Sequence, residues 1–223
     1  MTRGQTMPWD RTWAVRHEQS KATDTEWARC MNFLRVASSP SLAAVTATFD
    51  EETQTITLRH PGKTRLTASP ETEAQKIIAW ASPLVNADRA QPIDLVRVPG
   101  RGMTDSPFPS ISIANNASHD AVAHYLDTDL SMHRWRSNIW IDGVDAWEEF
   151  GWIGKELRLG SAIVTIKQRA DRCMYVRANP DTGERDIDVL AALNHFGHQD
   201  FSILAEVTEG GEIKVGDPVE LVG

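Results

Sequence analysis

Short runs of apolar and β-branched residues, separated by turn residues, recur along most of the chain. The segments Leu42–Phe49 and Thr53–Leu58 flank an acidic turn, and this arrangement predicts a β-hairpin. The second half continues with further strand-like segments: Ser110–Ala114, Asn138–Ile141, Glu156–Leu159, Ala162–Lys167, Ser202–Val207 and Pro218–Val222. Many short strands with few helices predict an α+β fold that is mainly β and contains a β-barrel.

In a few segments the apolar residues recur at the spacing of an α-helix instead. Ser69 precedes Pro70, which predicts a helix with Ser69 as its N-cap, and apolar residues follow at positions 74, 77, 78 and 81. Ser118 is predicted to cap a second helix, and residues 188–194 form a third. The Gly-, Pro- and Ser-rich loop at residues 99–109 marks the region of a domain boundary. We expect an N-terminal β-rich domain at residues 1–95 and a second domain at residues 96–223.

The net charge of the chain and its hydropathy pattern limit the classes of partner that the protein is expected to bind. The chain has 31 acidic and 23 basic side chains, giving a net charge of -8. An acidic surface argues against nucleic acid or an anionic membrane as the main partner. No apolar run approaches the roughly 20 residues of a membrane span, and the first residues lack the apolar centre of a secretory signal. These features predict a cytoplasmic protein without a membrane partner.

The two cysteines are the candidate reactive groups. Cys30 and Cys173 form no CxxC unit, so the chain alone predicts neither an iron–sulfur cluster nor a zinc ribbon. Electrons for any redox reaction would then come from a bound cofactor and another protein. Cys173 follows Arg172 and precedes a turn at residues 179–183. A thiol beside a cation can be a metal ligand, a nucleophile or a small buried hydrophobe, and the local residues leave all three open.

Two other polar segments are ambiguous. If residues 134–138 are extended, Arg134, Arg136 and Asn138 lie on one face, where arginine forks suit phosphate or another planar anion. A solvated charged face explains the same pattern equally well. Asp145, Glu148 and Glu149 could form an acid/base pair, but they are predicted to lie in a solvated turn, because no neighbouring residue would perturb their carboxyl groups. The eight tryptophans are predicted to pack mainly in the core.

Several segments occur in the order found in one known family. Together they resemble the MOSC domain, in the two-domain arrangement of the mitochondrial amidoxime reducing component and its bacterial relatives. A segment at residues 8–15 resembles the companion N-terminal β-barrel domain. The segments that carry the MOSC resemblance are residues 138–143, 152–160, 172–173, 179–185 and 211–219.

The resemblance implies a molybdenum–pterin cofactor (molybdopterin) held by a β-barrel. Cys173 matches the cysteine that binds the metal, and it is the implied catalytic residue. The implied cofactor-binding residues are Arg11, Asn115, Asn116, Ser118, Arg136, Asn138, Asp171 and Arg172. Asp171 departs from the family pattern, because its carboxylate would repel an anionic dithiolene unless it is protonated or turned away. The family also has an association with pyridoxal phosphate binding.

The implied activity is a molybdenum-dependent oxidoreductase that reduces N-hydroxylated small molecules by oxygen-atom transfer. Its electrons would come from a separate donor protein of reductase, ferredoxin or cytochrome type. A sulfur-carrier or cofactor-delivery module, with a persulfide on Cys173, is the first alternative. A degenerate binding domain with an inert Cys173 is the second. It is motivated by Asp171 and by the start of the sequence, which does not include the strand with a Tyr-Pro-x-Lys type segment with which relatives usually begin. Either the true start lies upstream or this strand is absent.

Overall fold

The structure is a computed structural model that describes residues 1–222. Strands predominate over helices in this part of the chain, which confirms the predicted α+β, mainly β class. The strands are β1 Ala14–His17, β2 Thr46–Asp50, β3 Thr55–His60, β4 Lys63–Ala68, β5 Pro92–Val96, β6 Ile111–Asn115, β7 Ile139–Ile141, β8 Glu156–Leu159, β9 Ala162–Asp171, β10 Asp200–Glu209 and β11 Val219–Val222. The helices are α1 Ala74–Ala81, α2 Asn116–Tyr125 and α3 Val189–His195.

One compact unit contains residues 1–10, residues 108–173 and the described chain from Asp188 onwards. Its six-stranded sheet has the order β11-β8-β9-β10-β6-β7 and curls into half a barrel. The β6 and β7 strands are parallel, and the other pairs are antiparallel. The sheet encloses a core of buried apolar side chains: Ile111, Ile113, Ile141, Phe150, Trp152, Leu157, Leu159, Val164, Ile166, Ile203, Ala205 and Val207.

The long strand β10 shows why the sequence forms this sheet. Ile203, Ala205 and Val207 are buried, and the residues between them are half-buried, as the two-residue period of a strand requires. The β9–β10 register shifts more than once along this strand, and the first shift lies between Asp200 and Ile203. Ser202 lies within that shift with a left-handed φ of 67°. β-Bulges can re-aim a side chain, and they are enriched next to functional sites.

The second compact unit contains residues 11–107 and residues 174–187. It has a two-stranded sheet, β1-β5, and a three-stranded antiparallel sheet, β2-β3-β4. Its buried clusters are formed by Ala22, Phe33, Val96, Val98 and Met103, and by Leu58, Ala68 and Ile77. The division of the sequence into residues 1–95 and 96–223 stays a prediction.

Several predicted element boundaries are wrong. The first hairpin strand begins at Thr46, because Pro40 starts a short 3-10 helix that ends at Ala44. Helix α1 begins at Ala74, because Ser69 and Glu73 close a turn before it through two hydrogen bonds of 2.8 and 3.0 Å. Helix α2 is capped by Asn115 and not by Ser118, because Asn115 Oδ1 accepts from the amide of Ala117 at 2.9 Å.

None of the helices within residues 1–222 is long and apolar enough to cross a bilayer.

Candidate functional site

Cys173 is the second residue after strand β9 and directly precedes a 3-10 helix at Met174–Arg177. Its side chain is exposed, as is that of Cys30. The alternative in which Cys173 is a small buried hydrophobe is therefore wrong. An exposed thiol can act as a metal ligand or as a nucleophile.

Arg172 anchors the strand end that carries Cys173. Its side chain is buried, and its Nε and Nη2 donate to the carbonyl oxygen of Phe201 at 2.9 and 2.6 Å. Its Nη1 donates to the carbonyl oxygen of Trp135 at 3.0 Å. The guanidinium therefore ties the end of β9 to β10 and to the turn that precedes β7, as its planar fork of donors allows.

A chain of hydrogen bonds continues from Arg172 to Asn138. Arg172 Nη2 donates to Ser202 Oγ at 2.6 Å, and this hydroxyl lies 2.9 Å from Ser112 Oγ. The amide of Ser112 donates to Asn138 Oδ1 at 2.9 Å, and Asn138 Nδ2 donates to Asp10 Oδ2 at 3.0 Å. The network joins two of the predicted site residues, Arg172 and Asn138, within one unit. Satisfied polar networks of this kind hold a site in one geometry.

The segment around Arg136 is not extended, so the predicted common face for Arg134 and Arg136 is wrong. Residues 132–134 form a 3-10 turn, and Arg134 is buried. Trp135 is fully buried and stacks on Phe201, with ring centroids 3.6 Å apart and an interplanar angle of 11°. Arg136 follows this buried ring with a left-handed φ of 52° and an exposed side chain. Strained non-glycine residues of this kind are concentrated at functional sites.

Asn115 and Ser118 lie inside the six-stranded unit, where both side chains are fully buried. Asn115 Nδ2 donates to Glu149 Oε2 at 2.9 Å, and Ser118 Oγ donates to Glu149 Oε1 at 2.8 Å. Glu149 is fully buried as well, so the predicted solvated turn is wrong at this residue. Cofactor contact by Asn115 and Ser118 stays a prediction, and their burial around a carboxylate argues against it.

The remaining predicted cofactor residues have separate surroundings. Asn116 Nδ2 donates to Asp142 Oδ1 at 2.6 Å. Asp171 is exposed at the end of β9, opposite Asp200 in the ladder with β10. Arg11 belongs to the other unit and has a left-handed φ of 52°. Their contacts with a cofactor stay predictions.

The side chains around Cys173 suit a metal ion that a cofactor already holds through its own ligands. Within residues 1–222, no group of three or more His, Cys, Asp or Glu side chains could hold a metal ion. Beside Arg172 the chain offers two exposed groups, the thiol of Cys173 and the carboxylate of Asp171. A soft thiolate suits a metal already held by the sulfur atoms of a dithiolene, so Cys173 fits the molybdenum–pterin cofactor. Asp171 fits it only when its carboxylate is protonated or turned away from the dithiolene.

A cavity of about 340 Å3 lies within the second unit. It contains none of the predicted cofactor residues. Its lining is formed by Ala44, Thr46, Arg59, His60, Pro61, Pro180 and Asp181.

Sequence reasoning missed Ser112, Ser202 and Glu149. The two serines are separated by 90 positions, and each stands within an ordinary strand pattern. Glu149 stands beside the exposed Glu148, and the local sequence does not distinguish the two. No signal in the sequence separates these residues from surface residues, because their partners are brought together only by the fold.

Comparison with known proteins gives a match to a family model, two relatives and several solved structures. The model of the MOSC domain matches residues 103–220, which is more than half of the chain. Mitochondrial amidoxime reducing component 2 from Homo sapiens and from Macaca fascicularis is 31% identical over 107 residues. Each match covers 42% of this chain, and it spans only 31% of the relative's length.

Solved structures show weaker similarity. YiiM from Geobacillus stearothermophilus matches with a TM-score of 0.40 and 18% identity, over 51% of this chain and 54% of that one. The YUAD protein from Bacillus subtilis matches with a TM-score of 0.40 and 12% identity, over 95% of this chain and 93% of that one. Similarity at this level supports no statement about activity.

Proposed function

This chain belongs to the MOSC domain family, and from that premise we propose that it binds the molybdenum–pterin cofactor and reduces N-hydroxylated small molecules by oxygen-atom transfer. The observation that carries the proposal is the exposed thiol of Cys173, held at a strand end by the buried guanidinium of Arg172. The family match at residues 103–220 supports assigning the proposed domain of residues 96–223 to the MOSC fold.

Each residue of this site has a separate role in the proposal. Cys173 supplies one thiolate ligand to the metal. Arg136 is exposed in the same unit, and its guanidinium suits the cofactor's phosphate, which accepts paired hydrogen bonds from an arginine fork. Arg172 binds backbone oxygens, so its role is to position Cys173.

When bound, the cofactor supplies the two-electron chemistry that removes oxygen from an N–O substrate, and the protein supplies placement. The strained backbone at Arg136 and Ser202 supports this placement role, because such strain persists only where surrounding contacts enforce it. A separate donor protein would return the electrons, because the two distant cysteines cannot build an iron–sulfur cluster by themselves.

An anaerobic assay with a reduced viologen dye and an aromatic amidoxime tests this activity without the natural electron donor. The protein should be produced with ample molybdate. We expect dye oxidation and amidine formation by the wild type and by the matched control Cys30→Ser. Cys173→Ser should lose nearly all of this activity. Equal activity of Cys173→Ser and the wild type would overturn the assignment of Cys173.

The exposure of Cys173 also favours a second candidate, a sulfur carrier. In that reaction the Cys173 thiolate attacks the outer sulfur of a desulfurase persulfide, and the desulfurase thiolate leaves. Intact-protein mass spectrometry after incubation with a cysteine desulfurase and cysteine distinguishes this candidate. A gain of one sulfur atom by the wild type and Cys30→Ser, but not by Cys173→Ser, would support it, and no gain would exclude it.

A further inference from the structure

A buried histidine holds the tryptophan that supports the Cys173 site. The indole Nε1–H of Trp135 donates to Nδ1 of His119 at 2.8 Å. His119 is only 7% exposed, and its ring meets the rings of Trp135 and Trp140 edge-on, with centroids 6.3 and 5.6 Å apart. His119 therefore lies on the buried side of helix α2, with its ring against Trp135 and against Trp140 of strand β7.

The hydrogen bond fixes the protonation state of His119. An indole N–H can only donate, so Nδ1 must carry its lone pair, and the ring is the neutral Nε2–H tautomer. Burial lowers the pKa of His119 below its ordinary value of 6.5. The charges of Asp120 on the same helix and Asp129 in the following loop oppose this shift, as does a hydrogen bond with the backbone of Leu130.

Trp135 connects this histidine to the site. Its ring stacks on Phe201, and Arg172 donates to the carbonyl oxygens of both residues. Cys173 follows Arg172 directly, and Arg136 follows Trp135. Displacing the indole would therefore disturb the anchor of the thiol and the strained backbone that presents Arg136.

We propose that His119 is a proton-sensitive positioning residue for the Cys173 site. Neutral His119 holds Trp135, and through it Arg172, in place. A proton from solvent on Nδ1 turns the acceptor into a donor that faces the indole N–H, so the hydrogen bond is lost and the stack loosens. An effect of this hydrogen bond on activity rests on the proposed function. The sensitivity of the hydrogen bond to protons does not.

The direction of the pH effect follows from the lowered pKa. The unfolded or loosened state takes up the proton more readily than the ordered state. The ordered arrangement is therefore fully stable above the ordinary histidine pKa. It loses stability as the pH falls below that value, down to the lowered pKa of His119.

Nuclear magnetic resonance on the full chain as purified tests the device directly. The indole N–H signal of Trp135 can be assigned by its absence in Trp135→Phe. From about pH 7.5 to about pH 5, a range that spans the ordinary histidine pKa, this signal should titrate. Over the same range, exchange of the Arg172 amide, which donates to Gln199 at 2.9 Å, should speed up by about threefold to tenfold after correction for intrinsic exchange.

Two variants should remove this dependence by different means. His119→Asn places an amide oxygen near the position of Nδ1 and does not titrate in this range. Trp135→Phe keeps a ring against Phe201 but lacks the donor. His124→Asn, at an exposed histidine of the same helix, is the matched control and should behave like the wild type.

Two results would overturn the inference. One is an indole signal that does not change with pH. The other is an indole signal that titrates while protection of the Arg172 amide stays constant. Molybdenum content is measured separately on the same samples. Protein without molybdenum would count against the proposed function and leave this test intact.

Discussion

Arg172 Nη1 donates a hydrogen bond to the carbonyl oxygen of Trp135 at 3.0 Å, although the two residues are separated by 37 positions in the sequence. The same guanidinium also binds the carbonyl oxygen of Phe201 and the hydroxyl of Ser202. One buried side chain thus joins the end of β9, the start of β10 and the turn before β7. The position of Cys173 depends on this junction.

Arg172→Lys should destabilise the protein, because a single ammonium group cannot span three acceptors. We expect a loss of about 2 to 4 kcal/mol in the free energy of unfolding, measured by urea denaturation. Arg65→Lys, at an exposed arginine of strand β4, should change it by less than about 0.5 kcal/mol. Similar losses for the two variants would contradict the anchoring role of Arg172.

Glu149→Leu should be strongly destabilising, because the donors of Asn115 and Ser118 lose their buried acceptor. We expect the free energy of unfolding, measured from denaturation curves, to fall by about 2 to 5 kcal/mol, which is the range for buried polar groups left without partners. Glu148→Leu changes the exposed neighbour and should cost about 1 kcal/mol or less. If Glu149→Leu proved neutral, the carboxylate would not be the centre of this network.

Gly183→Ala should be more destabilising than Gly197→Ala. Both glycines have left-handed φ values, 75° and 84°, so both substitutions carry a backbone penalty of about 1 kcal/mol. A Cβ on Gly183 would also lie 2.8 Å from Cα of Ser41, whereas a Cβ on Gly197 would meet no atom within 4 Å. The difference between the two unfolding free energies measures that contact. Equal losses would show that Ser41 moves aside freely.

The ion pair between Asp94 and Arg16 should make the stability of the second unit sensitive to acid. The side-chain hydrogen bond from Arg16 lowers the pKa of Asp94, an effect that partial burial opposes. The pair therefore contributes its full stabilisation above the ordinary aspartate pKa of about 3.9, and loses it as the pH falls through the lowered value. Asp94→Asn should lower the melting temperature near neutral pH, and this difference should shrink towards pH 2. A difference that does not change with pH would contradict the pairing.

The fold class follows from the sequence because short alternating strands and turn residues are local signals. Ile203, Ala205 and Val207 show the period of a buried strand face without knowledge of any partner strand. The boundaries near Ser69 and Ser118 were wrong because competing side chains, Glu73 and Asn115, make the hydrogen bonds that set them.

The candidate site is only partly visible in the sequence. Cys173 is conspicuous because the chain has only two cysteines, and this one lies in a segment that resembles a family motif. The contacts of Arg172 with Trp135 and Ser202 depend on a left-handed residue in β10 and on a stacked aromatic pair, and no local pattern encodes these features. Pairings between distant segments determine them.

Elemental and pterin analysis of protein purified without oxygen tests the central claim most directly. The wild type, Cys30→Ser and Cys173→Ser should be expressed side by side with ample molybdate. We predict near-stoichiometric molybdenum and pterin in the wild type and Cys30→Ser, and loss or loose retention of the metal in Cys173→Ser. Full molybdenum in Cys173→Ser, or no molybdenum and no pterin in any of the three, would contradict the assignment of Cys173 as the ligand of a molybdenum–pterin cofactor.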